Sequence, residues 1–185
     1  MARSRARAKS QDPASSRPGA GRAPAPTLAS ATVPRVWQGI GYRSLADAAQ
    51  ARPLFDFAAL PWPAAHEIAF AWGASDATER LIGAAVVERS GGTAMLHGPV
   101  VVAGADPLEV AAQLVAAVLD HAAAAGVVTV FARPQGLDRV WVRFGFIPVP
   151  ESALPAGLAG RPGVGLYAWR GGSALWTFRE EPAGV

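Results

Sequence analysis

The chain has 185 residues, 51% hydrophobic and 17% charged, with no cysteine. That length suits one ordinary domain with a sizeable core, and the composition excludes a disulfide framework, thiolate metal sites and cysteine nucleophiles. The net charge of +3 hides a division: residues 1–35 carry seven basic groups (Arg3, Arg5, Arg7, Lys9, Arg17, Arg22, Arg35) against Asp12, and the other 150 residues carry 10 basic and 13 acidic groups. The body is therefore acidic and offers no broad basic face for nucleic acid.

Residues 1–35 lack periodic apolar positions and are rich in Arg, Ala, Pro, Ser and Gly. Such a segment cannot bury enough surface to offset its chain entropy, so it is expected to be a disordered tail ahead of a single domain at 36–185. It reads first as a solvated extension. Its charge also suits an anionic partner such as nucleic acid or a lipid head group. Its acid-poor composition is also that of an organellar transit peptide, and it lacks the apolar run of a secretory signal. The cytoplasm is the expected compartment, with organellar import through the tail as the alternative. Asp106, Glu109, Asp120 and Arg133 interrupt the apolar middle, so no stretch reaches the roughly 20 residues of a membrane span.

Ordered structure is expected from about Val36. The segment 36–44 reads as a first strand. Ser44-Leu45-Ala46-Asp47 resembles a capping box, placing Asp47 at the third position of a helix reaching Ala51. Pro53, Pro61 and Pro63 divide the following stretch into short turns or helix. Residues 66–72 and 80–89 read as strands. Ser90-Gly91-Gly92 is a turn signal, and 93–102 is the returning strand. The clearest helix runs from Pro107 to Ala125. Asp106 is its N-cap, Pro107 takes the first position and Gly126 ends it. Its many alanines allow close approach to a sheet. The β-branched run 127–133 suits a buried strand. A short helix is expected at 137–144 and a strand at 146–150. A terminal hairpin is expected from 164–170 and 174–180 about Gly171-Gly172. The Arg-Pro-Gly-Val-Gly at 161–165 reads as a loop. The order predicts an α/β (α+β) fold, with helices packed on a mixed, largely antiparallel sheet.

Three pieces between Leu81 and Val149 resemble the acyl-CoA N-acyltransferase (GNAT) superfamily. They are the strand pair IGAAVVERSGGTAMLHGPVVV, the long helix with the strand VVTVFARP after it, and the ending Phe144-Gly145-Phe146-Ile147-Pro148-Val149. The resemblance implies acyl transfer from acetyl-CoA or another acyl-CoA to an amine, carried on a small molecule or a peptide. It places the pantetheine arm against the end of the central strand, at Val100, Val101 and Val102, where that strand leaves its parallel neighbour. The pyrophosphate would meet Gly104 and the N-terminus of the long helix, an anion site by its free N–H groups and dipole.

Two features depart from the family pattern. Its basic, glycine-rich pyrophosphate loop is replaced by Ala103-Gly104-Ala105-Asp106-Pro107-Leu108-Glu109, which brings two carboxylates. Trp141 stands four residues before Gly145, where many members carry a tyrosine acid.

A base is needed to deprotonate the amine, and Glu88 or His97 can reach a cleft beside these strands. Each also has a structural reading: Glu88 as a solvated hairpin carboxylate beside Arg89, His97 as a hydrogen-bonded strand histidine. His66, His97 and His121 lack metal-ligand spacing, so no metal is expected. His121, beside Asp120 near a helix C-terminus, suits the helix dipole. Trp62, Trp72, Trp169 and Trp176 read as packing residues or as an aromatic acceptor or protein-binding surface. The sequence thus points to an N-acyltransferase. Its rival is a catalytically inactive GNAT-fold module that engages a protein or other partner through its tail or tryptophans. A tail-driven nucleic-acid binder is a third reading.

Overall fold

Strand and helix boundaries follow from where local chemistry and sheet pairing agree. The computed structural model describes residues 27–103 and 106–170. Thr27 caps a helical turn, α1 (Leu28–Ala31), its hydroxyl accepting from the Ser30 N–H. Structure thus begins before Val36, because Ala31 is buried and α1 packs on the long helix. The expected strand at 36–44 is instead a hairpin, β1 (Arg35–Trp37) and β2 (Ile40–Ser44). Gln38 and Gly39 both take positive φ (48° and 77°), the geometry of a two-residue turn that matches strand twist.

The capping-box reading also fails. Ser44 is the last residue of β2 and pairs with Trp72. Asp47 is itself the cap, accepting from Ala49 N–H at 2.8 Å at the start of a 3-10 turn, Ala48–Ala51. Pro53 then sits in the first turn of α2 (Arg52–Phe57), where its missing N–H costs nothing. A 3-10 turn at Ala65–Glu67 leads into β3 (Ile68–Ser75). The hairpin of β4 (Leu81–Ser90) and β5 (Thr93–Val101) turns about Gly91-Gly92.

The long helix α3 (Pro107–Ala124) has the caps its sequence announces. The Asp106 carboxylate accepts from Glu109 N–H at 3.1 Å. At the other end Gly126 takes φ 80°, and Val127 N–H reaches back to Ala122 O at 2.9 Å, closing the helix in a Schellman motif. Then come β6 (Thr129–Ala132), α4 (Asp138–Arg143), β7 (Ile147–Pro148) and β8 (Tyr167–Arg170). β8 lies between β6 and β7. The second arm of the expected terminal hairpin lies outside the described residues.

The eight strands form one sheet in the order β1-β2-β3-β4-β5-β6-β8-β7, antiparallel except for the β5–β6 pair. α3 covers one face. Leu114, Val115, Val118 and Leu119 pack there on Ile82, Ala85, Val87, Ala94 and Leu96. Each fully buried Leu, Val or Ile among them contributes about 1.5–3 kcal/mol. The other face is covered by α2, through Phe55, and by the segment 149–166, through Leu158 and Leu166.

Candidate active site

The sheet opens in its middle. β5 and β6 pair from Thr93↔Thr129 to Leu96↔Ala132 and then part. Beyond that point β5 keeps only β4, with Val100 opposite Ala84 and Val101 opposite Gly83. Gly98 and Pro99 bulge between Val86↔His97 and Ala84↔Val100. Gly98 adopts φ 84°, and a Cβ there would lie 2.9 Å from Val100 N, so glycine is the residue that fits. Val102 N–H donates to Ile82 O on β4 at 2.9 Å. By strand alternation the N–H and C=O of Val101 therefore point the other way, into the opening. Val100 is buried, whereas Val102 is exposed. Gly104 lies outside the described residues.

At the mouth of this opening, on the face away from α3, lies a narrow cleft. His97 and Gly98 of β5 line it together with Phe55, Leu60, Arg133 and Arg161. Glu88 of β4 and His97 of β5 are diagonal neighbours on that face, since Glu88 pairs with Met95. The structure brings these two sequence candidates into direct contact, His97 Nε2 against Glu88 Oε2.

Glu88 is 1% exposed and is no solvated hairpin residue; neighbouring Arg89 instead donates to Gly91 O at 2.8 Å. Arg161 donates to Glu88 through Nε at 3.1 Å and Nη2 at 2.7 Å, and Nη2 also reaches Glu67 at 3.0 Å. Burial pushes the Glu88 carboxyl up, but hydrogen bonds from His97 and Arg161 outweigh it and hold the group at about 2. An ionised carboxylate only accepts, so His97 presents Nε2–H to Glu88 and keeps the Nδ1 lone pair when neutral.

A second guanidinium secures the cover. Arg133 follows β6 and is 7% exposed. It grips Glu151 with both terminal nitrogens, at 2.5 and 3.2 Å, and the carbonyls of Gly165 and Arg161 at 2.8 and 2.9 Å. Its hydrogen bonds hold the Glu151 carboxyl below the usual range. Glu67, Arg133, Glu151 and Arg161 have no local motif. Arg161 and Glu88 are 73 residues apart, so only tertiary structure makes them partners.

The two departures at the helix take on a different meaning in three dimensions. Glu109 pairs with Arg143 of α4 at 2.9 Å and accepts from Gln113 at 2.9 Å, so much of its charge is offset. Trp141 is fully buried, its indole N–H donating to Pro134 O at 2.9 Å, and stands in the core. Nearby, burial and then the Glu109 charge push the Tyr42 phenol up to about 12. Its hydroxyl has no partner among the described residues.

His121 does not serve the helix dipole as a cation. It accepts from Trp72 Nε1 at 3.1 Å, stacks on Phe70 at 3.8 Å, and burial lowers its pKa. Trp72 and Trp169 are core residues, Trp62 packs edge-on against Phe55 at 5.2 Å, and Trp176 lies outside the described residues. No helix among the described residues is long and apolar enough to cross a membrane.

No family model matches the sequence, and no curated protein matches it. Solved structures do. An acetyltransferase of the GNAT family from Staphylococcus aureus superposes with a TM-score of 0.56 at 11% identity, over 70% of this chain and 98% of that one. The ribosomal-protein-S18-alanine N-acetyltransferase of Escherichia coli gives 0.54 at 15% identity, over 75% and 97%. The N-acetylglutamate synthase of Neisseria gonorrhoeae, complexed with coenzyme A and N-acetylglutamate, gives 0.55 at 18% identity. That match covers 74% of this chain and 35% of the longer synthase. The fold is therefore that of the GNAT acetyltransferases, as the sequence resemblance implied.

Proposed function

We propose that the protein is an N-acyltransferase that moves an acyl group, acetyl foremost, from acyl-CoA to an amine on a small molecule or peptide. One observation carries the reading: β5 loses β6 after Leu96, and His97 stands at the opening beside the buried carboxylate of Glu88. Bound acyl-CoA supplies a thioester whose C–S bond breaks as the amine's C–N bond forms. Val101 N–H and C=O orient the pantetheine arm, with Val100 and Val102 holding that edge of β5 and Gly104 leading to the helix start. His97 Nδ1 takes the proton from the attacking amine. Glu88, held ionised near 2, is too weak a base to do so and instead fixes the ring and stabilises the imidazolium. The apolar wall of Phe55 and Leu60 limits water around the reacting atoms.

Carboxylates at the start of α3 in place of a basic loop, and Trp141 in place of an acid, are what favour the rival, a module that binds without catalysis. The Arg143 pairing weakens the first argument by offsetting the Glu109 charge; Asp106 keeps its carboxylate at the cap, and buried Trp141 supplies no acid, so coenzyme A leaves as the thiolate.

The test is release of free CoA from acetyl-CoA in the presence of a panel of amines, read with a thiol-reactive chromophore. The chain has no cysteine, so the protein adds no background. Amine-dependent release that falls about a hundredfold or more in His97→Gln supports the reading. Amine-dependent release undiminished in that variant removes His97 from the mechanism.

A further inference from the structure

We propose that Arg161 is a positioning residue that sets the basicity of His97 through Glu88 and ties it to the seating of the segment 149–166. The role in catalysis rests on the acyltransferase reading; the coupling itself rests on geometry. Glu88 is shared. One oxygen faces His97 Nε2, and the fork of Arg161 spans both. Every part of the guanidinium is used: Nη1 holds Ala159 O at 3.1 Å and Nη2 also reaches Glu67. Arg161 is thus the point where the covering segment, β4 and the turn before β3 meet.

The groups around His97 are Glu88 on β4, Arg161 and its partner Glu67, and Arg133 with its partner Glu151; α2 contributes the uncharged Phe55 to the cleft. With Arg161 seated, the Glu88 charge is divided between a guanidinium and an imidazole, and a second cation stands near the ring. Both effects disfavour imidazolium. When Arg161 is withdrawn, Glu88 belongs to His97 alone and the ring holds a proton more strongly. Arg161 rides on a segment held by the Arg133 grip on Glu151, Gly165 O and Arg161 O. The contacts that seat that segment are therefore the ones that hold Arg161 against Glu88.

The test is histidine-ring NMR on the full chain without acyl-CoA. Only three histidines contribute, His66, His97 and His121. In Arg161→Gln the His97 titration is expected to move to higher pH by about one unit, because a cation is removed and Glu88 is freed. In Glu67→Gln it is expected to move a smaller distance to lower pH, because Arg161 then turns wholly to Glu88. Glu67 is partly exposed, so that variant reads out even where Arg161→Gln fails to fold. A His97 titration that stays put in Arg161→Gln, or that stays put or rises in Glu67→Gln, overturns the proposal. The pH–rate profile of acyl transfer should shift with the titration, and a profile that stays put denies Arg161 its positioning role. Titration shifts in a protein that shows no acyl transfer uphold the coupling and refute the proposed function.

Discussion

The two faces of the central sheet are built on opposite principles. Under α3 the contacts are aliphatic and aromatic, and the helix buries nine residues without a charge among them. Under α2 and the segment 149–166 the same strands turn Glu88 inward, and Arg133 and Arg161 close over them. Burying an ion pair costs several kcal/mol per ion before attraction and hydrogen bonds offset it, and an apolar replacement is often as stable or more so. The α3 face holds the larger apolar core. The ion pairs on the second face add to an apolar core that Phe55, Val86, Met95 and Leu158 already supply, which makes them the place to look for chemistry.

The largest effect should come from breaking the charged cluster on one side. Glu88→Ala leaves Arg161 without its principal partner and is expected to cost about 4 kcal/mol in denaturant unfolding. The double variant Glu88→Met, Arg161→Met should recover most of that stability while remaining inactive. A double variant as unstable as the single one would mean that the charged face is structural after all. The native cluster should also show in acid. The folded Glu88 group lies at about 2, below its ordinary 4.5, so its contribution is complete above about pH 4.5 and is lost as pH falls toward 2. The double variant should lack that loss.

On the opposite face, Leu114→Ala is expected to cost about 3 kcal/mol through transfer and cavity terms, with acyl transfer intact in the remaining folded protein. Loss of activity without loss of stability there would dissolve the division between faces.

The smallest effect concerns His121. Its folded pKa lies below the ordinary 6.5, so its contribution is present above that pH and is lost as pH falls below it. Protonation also removes the acceptor for Trp72 Nε1. His121→Gln, which can still accept, should flatten the decline in thermal midpoint below pH 6.5. An unchanged decline would place its cause elsewhere.

The α3 face was far more legible in sequence than the charged one, for a physical reason. Asp106, Pro107 and Gly126 act within a turn of their own helix ends, and the Gly91-Gly92 turn links strands adjacent in sequence. These signals are local. Gln38-Gly39 is local too, but glutamine rarely adopts positive φ, so the sequence carries no plain turn signal between β1 and β2. Glu88 and His97 stood out as polar residues in apolar strands. Their contact needed the diagonal register of β4 on β5, and their shared partner Arg161 lies far along the chain in a stretch that resembles an ordinary loop. Glu109 suggested an acidic obstacle because its partner, Arg143, comes from another helix.

The central claim is that the opened edge of β5 receives acyl-CoA beside His97. Calorimetric titration of the full chain with acetyl-CoA tests it most directly, alongside Val101→Pro. That substitution removes an N–H pointing into the opening and leaves the β4 ladder intact, as proline can at a strand edge. Micromolar binding to the wild type is expected, with about fivefold weaker binding to the folded variant, the worth of one hydrogen bond. No binding to the folded wild type, or equal binding to both proteins, would contradict it.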